Sequence, residues 1–379
     1  MKVPLLDLKK QYISIRDEVL KATKQIYDKQ QFVLGPEVER LEKEIADYCS
    51  VKHSVGVSSG TDALIIALMA AGIGQGDSVI TSAYTFFATA GSIARMGAKP
   101  IFADIDSDTY NVSPEGIENI IEKMTDAELE NLKAVIPVHL FGQCCEMDSI
   151  LKIANKYNLI VIEDAAQAIG AEYKGKRSGS MGDFGCFSFF PSKNLGAFGD
   201  GGIVTTNSDK MYDKLCALRI HGAIGDRYDH QIIGGNFRLD ALQAAIVLIK
   251  LRYLDTWSNA RLSNANKYRK LFINAGMEDI IKLPVERENR HVYNQFVIRV
   301  KEKRDKLHLF LKDYSIGTQI YYPSPLHLLN CFSYLNYNKG DMSAAESASL
   351  NTLALPIYPE LTYDQLEYVV DKITEFLNK

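Results

Sequence analysis

Tryptophan is nearly absent, with Trp257 the single instance in 379 residues, and charge of either sign is close to balance. Forty-three basic against forty-seven acidic residues leave −4, and no run of Lys or Arg forms a stripe. A nucleic-acid partner is therefore not expected. Cysteine is sparse: Cys49, Cys144, Cys145, Cys186, Cys216 and Cys331 lack the paired spacing of a metal site, so no metal is expected. They read as reduced thiols of a cytoplasmic protein. No apolar stretch reaches the length of a membrane span. The opening MKVPLLDLKKQY lacks the apolar core and cleavage site of a secretory leader. Internal repeats and low-complexity segments are missing too. Hydrophobic residues at 46% and charged residues at 24% remain, the balance of an enzyme-sized globular chain with ample core.

The local patterns are those of alternating strands and helices. Apolar spacing predicts a helix over Lys10–Asp28, and a second over Pro36–Cys49, with Pro36 at its first position. Strands at Ser54–Val57, Ser78–Thr81, Lys99–Ala103, Ala134–His139 and Leu159–Asp164 follow, with intervening helices near 63–71, 87–96, 114–123 and 147–157. Gly72-Ile73-Gly74-Gln75-Gly76 follows a helix and reads as its stop, not as a dinucleotide loop. Further strands are expected at Cys186–Phe190 and Gly202–Thr206, then a helix over Lys210–Leu218. Such alternation predicts an α/β domain with a largely parallel, doubly covered sheet. One unbroken helix is expected from Leu239 to about Phe272, leading into a smaller α+β domain. There, strands near Tyr293–Val300 and Thr318–Tyr321 alternate with helices near 306–314 and 364–378. The division falls at 1–250 and 251–379.

Three features carry chemistry. Asp164 ends an apolar run, at the strand end where ligands of α/β sheets sit. Lys193 lies 29 positions on, after an aromatic strand and among six glycines from Gly182 to Gly202. A lysine so placed can lose solvation and become an amine nucleophile, although a solvated turn lysine fits the same residues. Ser58-Ser59-Gly60-Thr61-Asp62 joins a strand to a helix start, which suits an anion site or simple helix capping. Together these are the parts pyridoxal phosphate needs: a helix amino terminus for the phosphate, a carboxylate for the ring nitrogen and a lysine for the aldehyde. Phe86, in Tyr84-Thr85-Phe86-Phe87, could stack on the ring or pack in the core.

VSSGTDAL, TFFAT, VHLFGQ, VIEDAAQAIGA, FSFFPSKNLGAFGDGG, RIHG, NFRLDALQAAI, YYPSPLH and LPIYPEL occur in order along the whole chain. In these motifs the sequence resembles the DegT/DnrJ/EryC1/StrS family of nucleotide-sugar aminotransferases. The resemblance implies the aspartate aminotransferase fold (fold type I), with a mostly parallel seven-stranded sheet. It implies that Lys193 forms the imine with the cofactor and that Asp164 pairs with the pyridine nitrogen. Gln167 would lie beside the ring, Phe86 would stack on it, and Gly60, Thr61 and Ser188 would bind its phosphate. Asn236 would reach the phosphate from a neighbouring subunit, which implies a homodimer with shared sites. Arg238 and His327 would face the sugar. L-Glutamate is the implied donor and a nucleotide-linked keto-sugar, dTDP- or UDP-linked, the acceptor, in deoxyaminosugar or surface-glycan biosynthesis. NFRLDALQAAI and YPSPLH look more like members that aminate carbon three than carbon four. Dehydratase relatives carry histidine in place of Lys193, and a regulator on this fold would be expected to have lost Lys193 or Asp164. Neither is missing.

Overall fold

Nine strands precede the long helical region. In the computed structural model, which describes residues 1–287 and 290–378, they are β1 (His53–Val57), β2 (Ser78–Ser82), β3 (Lys99–Ala103), β4 (Leu132–Ile136), β5 (Ile160–Asp164), the short hairpin β6 (Glu172–Tyr173) and β7 (Lys176–Arg177), β8 (Phe184–Ser188) and β9 (Gly202–Thr206). Seven of them form one sheet in the order β1-β9-β8-β5-β4-β2-β3. Only β9 runs against its neighbours. Helices cover both faces, so β2 and β9 are buried at every position. The mostly parallel α/β sheet read from the sequence is thus present.

The helix Gly60–Ala71 is the mount for one part of the site. Ala63 through Leu68 are all buried, because it lies between the sheet and the helices Ala88–Arg95 and Asp209–Arg219. An all-round apolar helix of this kind is a core element. The two leading helices, Leu8–Lys29 and Pro36–Cys49, match the periodicity closely.

Two expectations fail. The single helix from Leu239 to Phe272 is two, Ala241–Leu251 and Leu254–Asn274, parted at Arg252-Tyr253. No glycine or proline causes the break. Ala244, Val247 and Leu248 pack beneath the large sheet, whereas Ala265, Tyr268 and Phe272 pack on the C-terminal sheet. Arg252 and Tyr253 are meanwhile held by Glu18, the tyrosine hydroxyl at 2.7 Å. Tertiary packing overrides helix propensity. Nor does Thr318–Tyr321 form a strand. It makes one bridge, Gln319 to Ala354, because the Tyr84 hydroxyl takes the Tyr321 carbonyl and accepts the Tyr322 N–H. The small sheet is β10 (Ile281–Lys282), β11 (Phe296–Val300) and β12 (Thr352–Leu355), all antiparallel. The helices Leu254–Asn274, Arg304–Asp313 and Tyr363–Leu377 cover it, and Val3 bridges to Ile316 in the same core.

An apolar cluster of Tyr84, Phe102, Val297, Leu326 and Phe332 joins the packing of the two sheets. Among the described residues no helix is long and apolar enough to cross a membrane.

Candidate active site

Alternation along β5 sends its last two carboxylates to different partners. Glu163 is fully buried and accepts N–H bonds from Gly179, Met181 and Gly182 at 2.6–2.7 Å. His139 Nε2 lies 2.8 Å from it. Cys145 N–H donates to His139 Nδ1 at 3.1 Å, so the ring proton sits on Nε2 and points at Glu163. His139 N–H also donates to the Asp164 carbonyl at 3.0 Å. Sequence reasoning missed this pair; the signal was a glutamate inside an apolar strand. Glu163→Ala leaves three amides and an imidazole unpaired in the core. It is expected to destabilise the fold by about 3–5 kcal/mol in chemical denaturation; a loss under about 1 kcal/mol would contradict this reading.

Asp164 faces the other way. Its Oδ2 accepts the Thr89 hydroxyl at 2.7 Å and its Oδ1 the Ala166 N–H at 3.2 Å. Burial raises its pKa, while the bonds from Thr89 and Ala166 and the charge of nearby Lys193 oppose that rise. Lys193 is half-buried on the turn after β8, which ends at Ser188, two residues earlier than the sequence predicts. Desolvation lowers its pKa to about 8, against the pull of Asp164. The amine and the carboxylate therefore act on each other electrostatically.

The helix start that would hold an anion begins at Gly60, directly after β1. Ser59 caps the helix, accepting the Asp62 N–H at 3.0 Å, and Thr61 makes no side-chain hydrogen bond among the described residues. Capping and an open first turn thus coexist. A Cβ on Gly60 would stand 2.6 Å from the Ser188 Cβ, so the absence of a side chain lets the helix start meet the end of β8. Gly60→Ala pushes these apart and is expected to weaken phosphate-bearing ligands about tenfold, read by titration of pyridoxal phosphate. Unchanged affinity would remove the cradle from the site.

Phe86 is 58% exposed, which excludes the core alternative and leaves a ring face open near Tyr322, centroids 6.3 Å apart. Gln167 accepts the Phe141 N–H at 2.8 Å and donates to the Tyr322 hydroxyl at 3.0 Å. Thr89 and Tyr322 are further members that the sequence reading did not single out, although Thr89 closes the TFFAT motif. Asn236 is exposed, with no side-chain bond among the described residues. Its neighbours run beside the end of β1: the Phe237 carbonyl accepts the Ser58 N–H at 2.9 Å, and Arg238 bridges to Val57. Arg238 lines an open groove of about 1090 Å³ with His221, Arg227 and His230. His327 is not brought to Lys193 by any bond. It is buried, and its Nε2 lies 3.1 Å from Glu346, while Nδ1 has no partner among the described residues. A second groove of about 790 Å³, lined by Asp106, Glu118, Lys152 and Arg287, contains none of these residues.

The chain is similar to known proteins along its whole length. The chain is 47% identical, over 99% of both lengths, to a "pleiotropic regulatory protein" of Geobacillus stearothermophilus. It is 40% identical, over 99% of its length and 98% of the relative's, to a UDP-N-acetyl-3-dehydro-α-D-glucosamine 3-aminotransferase of Acidithiobacillus ferrooxidans. The crystal structure of Streptomyces venezuelae DesV in complex with a ketimine intermediate superposes with a TM-score of 0.94 at 37% identity, covering 100% of this chain and 99% of that one. The model of the DegT/DnrJ/EryC1/StrS aminotransferase family matches residues 13–374, and this chain, a sugar aminotransferase, belongs to that family.

Proposed function

We propose that the protein transfers an amino group from L-glutamate to carbon three of a nucleotide-linked 3-keto sugar, in deoxyaminosugar or surface-glycan synthesis. The observation that carries the reading is the buried Asp164 carboxylate acting on the desolvated Lys193 amine, beside a helix start pressed against Ser188. These residues fit pyridoxal phosphate, on which the family depends. When bound, that cofactor supplies an electron sink for the donor's α-carbon. Gly60, Thr61 and Ser188 would hold its phosphate. Phe86 would cover the ring, with Gln167 beside it. Asp164 would keep the ring nitrogen protonated. Lys193 would hold the cofactor through its aldehyde and would serve as the base for the proton on the donor's α-carbon.

Carbon three is supported by the name of the Acidithiobacillus relative. Arg238, at the mouth of its groove, would meet the sugar, and would pair with a carboxylate if the sugar is a uronate. His327 would act there only from behind the surface. The exposed, unpaired Asn236 suits a second copy whose phosphate it would complete, so we propose a homodimer. Sedimentation that finds only an active monomer removes this part.

The test is incubation of the glutamate-treated protein with UDP- and dTDP-linked 3-keto and 4-keto sugars, followed by mass spectrometry. A 3-amino product is expected; amination at carbon four alone would overturn the regiochemistry. A regulatory role is supported by the names of two relatives, the Geobacillus "pleiotropic regulatory protein" and a "sensory transduction protein" of Saccharopolyspora erythraea. It is the better reading if glutamate fails to change the absorbance of the cofactor-loaded protein.

A further inference from the structure

The turn bearing Lys193 closes on itself. Ala197 N–H donates to the Phe189 carbonyl at 2.7 Å, and Lys193 N–H to the Phe190 carbonyl at 2.9 Å. Inside the turn there is no room: a Cβ on Gly196 would come 2.4 Å from the Pro191 carbonyl oxygen. Its position therefore depends on anchors from outside.

One anchor is Asn194, which donates to the Val292 carbonyl at 2.9 Å and accepts from Asn294 at 3.0 Å. Two more come from a single face of the helix Ala241–Leu251. Gln243 accepts the Phe198 N–H at 2.9 Å. Two helical turns further on, Lys250 Nζ donates to the Gly196 carbonyl at 2.6 Å. Lys250 is 2% exposed, and no carboxylate pairs with it among the described residues. Its Nζ stands 4.8 Å from the centroid of the Phe198 ring. Desolvation lowers its pKa to about 8.

Packing alone does not call for an amine here. Val247, Leu248 and Ile249 on the same helix are apolar, and a buried amine with one carbonyl and one ring face is poorly compensated for lost water. What the amine does that a methyl group cannot is fix the Gly196 carbonyl, three residues after Lys193.

We propose that Lys250 is a positioning residue for the reaction: by holding Gly196 it sets the height and direction from which the Lys193 amine reaches the cofactor aldehyde. This rests on Lys193 being the amine that captures the cofactor. Both the Lys250–Gly196 bond and the turn it steadies lie within one chain.

The experiment compares wild type with Lys250→Met, which keeps the buried stem and removes the donor. The cofactor-free variant is expected to melt no lower than wild type, since an uncompensated buried charge is gone. In titration with pyridoxal phosphate the apparent Kd is expected to rise about tenfold, the effect of losing one charge-assisted bond. kcat falls while KM for glutamate stays, and Lys250→Arg recovers part of both changes. Wild-type affinity and kcat in Lys250→Met would overturn the proposal. So would a lowered melting temperature with wild-type affinity, which marks a purely structural role. Lys250→Leu, which also removes the donor, gives the same reading if the methionine variant does not fold. Should wild type itself show no covalent cofactor band, the assignment of Lys193 fails, a result distinct from an indifferent Lys250→Met.

Discussion

Lys193→Ala is expected to remove the near-visible absorbance of the cofactor-loaded protein and to lower kcat by about ten-thousandfold. The side chain carries two tasks, capture of the aldehyde and transfer of the α-proton, and alanine does neither. Desolvation holds the amine near pKa 8, so the capture rate of the cofactor-free wild type should also depend on pH. Below about 8 the amine is mostly protonated and not nucleophilic; above it the neutral form dominates and the rate levels off. Stopped-flow mixing with pyridoxal phosphate reads the profile. A Lys193→Ala protein that still gains the band, or still turns over, would sink the assignment.

Asp164→Asn is expected to lower kcat by about a thousandfold while leaving the fold intact. Asparagine keeps an oxygen for Thr89 or Ala166 but not the charge that would hold a proton on the ring nitrogen. Stability should move the other way from activity. Burial raises the pKa of Asp164 in the folded state. Its contribution to stability is therefore full below the unfolded pKa and is lost as pH rises through the folded one. At neutral pH, asparagine escapes that penalty, and the cofactor-free variant should melt at or above wild type. A variant that melts far lower and keeps its kcat would make Asp164 a structural residue.

Much of this site could be read from the chain before any coordinates. Strand-then-helix order places Asp164 at a strand end, and the Ser58–Asp62 segment announces a helix start with free amides. These are local patterns, and local patterns are what a sequence displays. Partnerships across the chain are not displayed. Thr89 lies 75 residues from Asp164, and Tyr322 lies 155 from Gln167, yet each pair shares a hydrogen bond. The break at Arg252-Tyr253 is not displayed for the same reason, since it answers to Glu18 and to two separate cores, not to its own residues. His327 has such a partner too: its motif suggests a substrate contact, and its ring bonds Glu346, 19 residues on.

The reversed β9 has a consequence for how the protein is made. β1 is an edge strand whose ladder is with β9 alone among the described strands, and Gly202, at the start of β9, abuts the Ser59 carbonyl at the helix start. On the ribosome, β1 must therefore wait unpaired while roughly 150 further residues emerge. Nascent chains released before residue 206 would accordingly leave the exit tunnel with β1 lacking its ladder, however well their earlier parallel strands had assembled.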